Sequence, residues 1–213
     1  MIEILAERNE RLLCVKPVGV LAQGDGAQAL PQLLAAQCGC SIYPVHRLDQ
    51  AVGGVMVFAK TKQEAARLSQ AAQTGLLEKE YVAVLEKRPA QDEGELSDLL
   101  FHDRFKNKTY VVSRMRKGVR PARLSYRVLA ERAGYCLVHI RLYTGRTHQI
   151  RVQFASRGCP LVGDGKYGSR KNAAAPALWS FALRIGEAGG AERFCRAPEG
   201  GLWQTFAPEL NAL

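Results

Sequence analysis

Short apolar runs, broken by glycine, proline and polar clusters, dominate the chain from end to end. The segment Arg11–Lys16 is β-branched and apolar enough for a strand, and Pro17-Val18-Gly19-Val20 turns it. A second turn falls at Gly24-Asp25-Gly26, and a helix is expected from about Ala27 to Gln37 with Leu30, Leu33 and Leu34 on its apolar face. Pro31 fits only within the first turn of that helix, and Cys38-Gly39-Cys40 ends it. Val55–Ala59, behind Gly53-Gly54, reads as a buried strand. Thr61-Lys62-Gln63-Glu64 has capping-box spacing, opening an alanine-rich helix that runs to Thr74 and stops at Gly75. Lys79–Leu85 alternates as a strand, with Lys79, Tyr81 and Ala83 on one face and Glu80, Val82 and Val84 on the other.

The second half has weaker signals. Residues 89–108 are polar and predict a loop with short strands at best. Arg114–Arg123 is basic and, with Gly118 and Pro121, predicts a flexible hairpin tip. Leu124–Leu129 and Tyr135–Leu142 alternate around Arg132-Ala133-Gly134 as a β-hairpin. Thr147 is placed to cap a helix running to about Ser156 and closed by Gly158, with Ile150 and Phe154 facing the core and His148 and Arg151 sharing another face. Arg146 opposes the dipole at that helix start, which implies a compensating acid or ligand. Leu178–Ile185 reads as a strand, a glycine-rich segment follows, and Leu202–Phe206 reads as a last strand. No repeat or linker interrupts the chain, so one domain over residues 1–213 is expected, its core about 10–185 and its C-terminal strand segment 186–213.

Composition narrows the class. At 47% apolar residues the 213-residue chain can build a core, and no stretch approaches the length of a membrane span. The first residues carry charges where a signal peptide would carry an apolar stretch, so a cytoplasmic protein with no membrane partner is expected. The six cysteines lack metal-ligand spacing and should be reduced thiols, and no metal is expected. The glycine-rich Pro160–Gly168 lacks the Gly-Lys-Ser/Thr ending of a phosphate loop and opens no helix, so a nucleotide-binding fold is not expected.

Charge changes the picture more. The net charge is +10, yet residues 101–151 hold thirteen Lys and Arg against Asp103 and Glu131 alone, while the rest of the chain is close to neutral. A surplus confined to one quarter of the chain is the footprint of a polyanion partner. The carboxylate that could act on such a partner is Asp49, in His46-Arg47-Leu48-Asp49-Gln50-Ala51-Val52-Gly53-Gly54. Held in a loop before a rigid strand, it can do chemistry or simply pair with Arg47.

Four motifs in order resolve what the spacing alone leaves open. Lys16-Pro17-Val18-Gly19, His46-Arg47-Leu48-Asp49, Lys79-Glu80-Tyr81, and Thr144-Gly145-Arg146-Thr147-His148-Gln149-Ile150-Arg151 are present, the last continuing into Gly158-x-Pro160 and Gly163-Asp164-x-x-Tyr167-Gly168. The chain resembles the RluA family of RNA pseudouridine synthases over about residues 10–185. The resemblance implies an α+β catalytic domain on a mixed, largely antiparallel sheet flanked by helices, with a catalytic cleft. It implies that Asp49 is the essential carboxylate, that Arg151 pairs with it, and that Tyr81 stacks on the target base. Arg47 would fill the gap left by a flipped nucleotide, and Arg146, His46, Lys79 and His148 would contact RNA.

The family's usual Thr-Ser-Gly after the aspartate is here Val52-Gly53-Gly54, which leaves a catalytically impaired RNA-binding protein of the same fold as the alternative. With about ten residues before the first matching strand, no S4-type domain is expected, and the domain should act alone as a monomer. The implied reaction breaks uridine's N1–C1′ bond and joins C5 to C1′. All atoms are retained, so no cofactor is required. The carboxylate would attack C1′ or take a proton from C2′, and the sequence does not choose between them. The substrate is expected to be a flipped-out uridine of rRNA or tRNA, held by the basic segment 104–132.

Overall fold

The computed structural model describes residues 1–8, 10–24, 26–187 and 190–213. In chain order the elements are β1 (Glu3–Arg8), β2 (Arg11–Lys16), α1 (Leu30–Cys38), β3 (Tyr43–Pro44), β4 (Gly53–Ala59), α2 (Lys62–Thr74), β5 (Leu77–Leu85) and β6 (Glu93–Asp103). They continue with β7 (Lys108–Val112), β8 (Val119–Arg132), β9 (Tyr135–Leu142), α3 (Gln149–Ala155), a 3-10 turn at Gly165–Tyr167, β10 (Leu178–Glu187), β11 (Gly190–Cys195), a 3-10 helix at Gly201–Phe206, and α4 (Ala207–Asn211). The class is α+β, with strands that are mostly antiparallel. Strands β4 and β10 run parallel where Trp179 and Ser180 pair with Gly53 and Gly54. Two compact units divide the chain, one of residues 1–80 with 179–198, the other of 81–178 with 199–213.

In the first unit the strand order is β1-β2-β4-β10-β5, with β11 on β10 and β3 on β4. Strand β4 is apolar without interruption, β2 is apolar between Arg11 and Lys16, and both are buried throughout, as strands covered on both faces must be. Helix α2 lays Leu68 and Ala71 onto Leu13, Val55, Val57 and Leu183. Burial of a leucine such as Leu68 stabilises the unit by about 1.5–3 kcal/mol. The helix begins where the capping residues place it, because the Thr61 side chain accepts the Glu64 N–H at 3.2 Å. It ends at Gly75, whose φ of 81° suits glycine. Helix α1 starts at Leu30, three residues later than the sequence suggests, with Pro31 in its first turn. Asp25, at the centre of the expected Gly24–Gly26 turn, lies outside the described residues.

The second unit orders its strands β5-β9-β8-β6-β7. The β8–β9 hairpin forms as the alternation indicates, turning at Ala133 and Gly134, both at positive φ. Three expectations fail here. Residues 89–108 are not a loop, because Glu93–Asp103 is an eleven-residue strand lying between β7 and β8. Its burial does not alternate cleanly, so no period-two signal marks it in sequence.

The basic stretch 114–123 is likewise not a hairpin tip. Val112 pairs with Leu99 through β7–β6 and Val119 pairs with Phe101 through β6–β8, so residues 113–118 cross over β6 as a strap. Arg116 lies 5.0 Å from the Phe101 ring, and Pro121 falls inside β8. Third, Gly201–Phe206 is a 3-10 helix rather than a strand, leading into α4 with Phe206 and Leu210 buried. The glycine-rich segment before it carries a strand of its own, β11. All six cysteines are free, and no described helix is long and apolar enough to cross a membrane.

Candidate active site

Asp49 opens a tight turn. The Val52 N–H donates to the Asp49 carbonyl at 3.0 Å, and aspartate is a favoured first residue of such turns. Gln50, next in the turn, is bound twice to Gly19: the Gly19 N–H donates to the Gln50 carbonyl at 2.8 Å, and Gln50 Nε2 donates to the Gly19 carbonyl at 2.9 Å. Lys16, wholly buried at the end of β2, donates its ammonium to the carbonyls of Pro17 at 2.8 Å and Gln50 at 3.1 Å. The Lys-Pro-x-Gly turn is therefore the mount on which the aspartate loop sits. Desolvation pulls the Lys16 pKa down to about 8, and the Asp49 carboxylate acts against that shift. At neutral pH a buried ammonium thus stands beside the carboxylate.

His46 does structural work. Strand β3 leaves β4 after Pro44, and the His46 Nε2 then accepts the Val57 N–H at 3.2 Å. Desolvation, with the Lys79 ammonium nearby, lowers its pKa to about 3, so the ring is neutral. Lys79 itself is lowered by desolvation. Arg47, by contrast, is exposed.

The departure at Gly53 has a steric cause. A Cβ on Gly53 would lie 2.4 Å from Trp179 Cζ3. Trp179, fixed by its indole N–H to the Arg196 carbonyl at 2.7 Å, occupies the space a serine side chain would need. Gly54, at φ 120°, lies so close to Ser180 that a Cβ would approach that residue's carbonyl oxygen to 2.2 Å. Val52 is buried to 2% exposure.

Tyr81, on β5, is 5% exposed. Its neighbour Glu80, on the opposite strand face, takes a two-pronged pair from Arg193 of β11, with Nη2 to Oε2 at 2.8 Å and Nε to Oε1 at 3.2 Å. That pair anchors the β5 end of the first unit.

The Thr144–Arg151 motif folds around Gln149. Its Oε1 accepts from the Thr144 hydroxyl at 2.8 Å and the Arg146 N–H at 3.1 Å, and its Nε2 donates to the Arg123 carbonyl at 3.1 Å. Thr147 is not the helix cap. His148 takes that position in a left-handed conformation, φ 54°. A non-glycine residue held there by its surroundings is a feature of functional sites. What holds it is a 2.9 Å hydrogen bond between His148 Nδ1 and the Tyr167 hydroxyl, which also accepts the Thr109 N–H at 2.8 Å.

Arg151, one turn on, is buried. Its Nε and Nη2 donate to Asp164 at 2.7 and 2.8 Å, and its guanidinium lies 5.1 Å from the Tyr167 ring. Arg146 is exposed, its Nε donating to the Pro121 carbonyl at 3.0 Å, so the compensation expected at the helix start comes in part from a carbonyl. Ile150 and Phe154 face the core as expected.

Asp164, Tyr167, Lys16, Gln50 and Gln149 therefore support the candidate residues. The sequence contained them all within its motifs but gave them no role, since only side-chain geometry reveals one. Among the described residues no cluster of His, Cys, Asp and Glu is arranged to hold a metal ion.

Comparison with known proteins identifies the family. The family model for RNA pseudouridylate synthase matches residues 11–156, which include all four motifs except the trailing glycine-rich loop. An uncharacterized RNA pseudouridine synthase of Zymomonas mobilis is 37% identical over 180 residues, covering 79% of this chain and 82% of that protein. Ribosomal large subunit pseudouridine synthase D of Nitrosomonas europaea is 33% identical over 175 residues, 78% of this chain and 50% of that one. An uncharacterized RNA pseudouridine synthase of Bacillus subtilis is covered over 58% of its length, so the chain spans little more than half of some relatives it matches. The fold agrees with human RNA Pseudouridylate Synthase Domain Containing 1, at a TM-score of 0.79 and 22% identity over 100% of this chain and 96% of that one. On the match across most of its length, the chain belongs to the RluA-type RNA pseudouridine synthases, isomerases that act on RNA.

Proposed function

We propose that this protein converts a specific uridine of rRNA or tRNA to pseudouridine, with Asp49 as the essential carboxylate. The observation that carries the reading is the mount of Asp49: a buried lysine, a doubly bound glutamine and a tight turn fix one carboxylate. A surface aspartate that merely paired with Arg47 would not need that support. Asp49 attacks C1′ or removes the C2′ proton, the N1–C1′ bond breaks, and the uracil rotates. C5 then bonds C1′ as the Asp49–C1′ bond breaks or C2′ recovers its proton, the C5 proton is lost and N1 gains one, so no atom is consumed. Tyr81 stacks on the uracil, and Arg151, steadied by Asp164, orients the carboxylate. Arg47 and Arg146, both exposed, hold the RNA around the flipped nucleotide, and Lys79, His46 and His148 contribute to substrate binding. The protein acts as a monomer in the cytoplasm and without a cofactor.

The filled space at Gly53 favours this over an impaired RNA-binding protein. The missing serine leaves no void in the loop, because Trp179 occupies its place. The test is to map pseudouridines in total tRNA and rRNA from cells lacking the gene, complemented with wild type or Asp49→Asn. One or more sites should vanish in the deletion, return with wild type and stay absent with the variant. A full map in the deletion strain would reject the synthase reading. Restoration of the sites by Asp49→Asn would reject the role of Asp49.

A further inference from the structure

The tip of the β6–β7 hairpin presents an aromatic ring that the fold does not use. Phe105 is fully exposed, at 103% of its reference area. Yet the turn that carries it is ordered. Asp103 Oδ1 accepts the Lys106 N–H at 3.1 Å, Asn107 takes a left-handed φ of 43°, and Lys166 donates to the Asn107 carbonyl at 2.9 Å. A defined turn thus holds a phenyl ring in water, where burial would have been favourable.

Its surroundings are cationic. From Arg104 to Arg123 there are eight Lys and Arg and no acid. Glu95 neutralises Arg123 from β6, but among the described residues Arg104, Lys106, Arg114 and Lys117 form no ion pair. The strap 113–118 starts and ends on strands that flank β6, so its cations belong to the same part of the second unit as the tip. An apolar protein partner would need a contiguous apolar patch. Here the ring is interleaved along the chain with Arg104, Lys106 and Lys108. That alternation of ring and cation matches a polynucleotide strand, whose bases alternate with phosphates.

We propose that Phe105 is a base-stacking residue and that the β6–β7 tip, with the neighbouring basic strap, binds a single-stranded stretch of RNA outside the modified nucleotide. This rests on the RNA substrate proposed above and adds a contact that none of the four motifs supplies.

The probe is a fluorescein-labelled twelve-nucleotide oligouridylate, titrated by fluorescence anisotropy against the whole protein. Phe105→Ala should weaken binding by about five-fold or more, the lower end for loss of one stacked base. Phe105→Trp should bind like wild type, and Phe105→Leu should behave like Phe105→Ala. The salt dependence separates ring from charge. Phe105→Ala should keep the wild-type slope, whereas Lys106→Ala should reduce it by roughly 0.7, the loss of one phosphate contact on a single strand. The proposal is overturned if Phe105→Ala binds as wild type, if Phe105→Leu binds as well as Phe105→Trp, or if the wild-type protein does not bind the oligomer. The position is exposed, so thermal unfolding should confirm that each variant keeps its fold. A Phe105 effect in a protein that modifies no RNA would leave this inference standing and remove the synthase reading. Site-specific modification with no Phe105 effect would do the reverse.

Discussion

Trp179 and Gly53 form a matched pair across a parallel strand contact, and each explains the other. Returning a side chain to position 53 as Gly53→Ser drives its Cβ into an indole carbon 2.4 Å away. Overpacking of this kind costs about 1–3 kcal/mol, and urea unfolding should show that loss. In the double variant with Trp179→Ala the clash is absent, so the combined loss should be smaller than the sum of the two single losses. Simple additivity would show that Trp179 does not set the residue at 53. The sequence displayed the Val52-Gly53 departure but not its compensation, because the filling residue lies far along the chain and meets Gly53 only through the β4–β10 pairing.

Lys16 makes a second prediction at this scale. Its folded pKa, about 8, lies below the 10.5 of a free lysine, so between those values the unfolded chain holds more protons. Stability from this group therefore rises with pH across that window and is flat below it, where both states are protonated. Burial of thiols works the other way above pH 8, since Cys14 is raised to about 12 and Cys136 to about 11. The comparison must therefore be with Lys16→Met, in which the thiol contribution is unchanged. The stability of wild type relative to Lys16→Met should increase from pH 8 to pH 10, measured by denaturant unfolding. A constant difference would mean that Lys16 is not a depressed ammonium.

At the scale of elements, α3 shows what a motif can and cannot tell. Its apolar positions Ile150 and Phe154 were legible from their spacing. Its cap was not, because His148 adopts a left-handed conformation that a hydrogen bond to Tyr167 sustains, and no local propensity announces it. The Arg151–Asp164 pair was hidden for the same reason: the residues sit on separate elements, and the side chains are 7% and 1% exposed. Removing one member of a buried pair leaves a charge without compensation, so Asp164→Ala should cost about 3–5 kcal/mol. Arg151→Met with Asp164→Leu should be more stable than Asp164→Ala, while the synthase activity proposed for the intact pair should still be lost. If Asp164→Ala unfolds at the wild-type midpoint, the pair does not stabilise α3. Strand β6 was missed on different grounds. It lies between two partners that supply its backbone hydrogen bonds, so it can carry Gly94, Ser97 and Asp98 without the apolar alternation by which strands are usually found.

For the molecule as a whole, the separation of charge from chemistry is the organising feature. The proposed catalytic carboxylate belongs to the first compact unit, whereas the surplus of cations lies in residues 101–151, within the second. If the division reflects two tasks, binding and reaction should come apart on mutation. Cations that neutralise single-strand phosphates lower the logarithm of affinity by about 0.7 per contact for each unit in the logarithm of salt. Engagement of the four unpaired cations at the hairpin and strap would then give a slope near −3, measured with unmodified RNA from the deletion strain between 50 and 400 mM KCl. Asp49→Asn should leave that slope and the affinity within about two-fold of wild type, because it alters no phosphate contact, while abolishing pseudouridine formation. Converting Arg114 and Lys117 together to Ala should lower the slope by more than one, again by the per-contact rule, and the synthase should recover its rate at saturating RNA. A variant of the strap that instead lost rate at saturation, with its slope unchanged, would place those cations in the reaction and not in the grip on RNA.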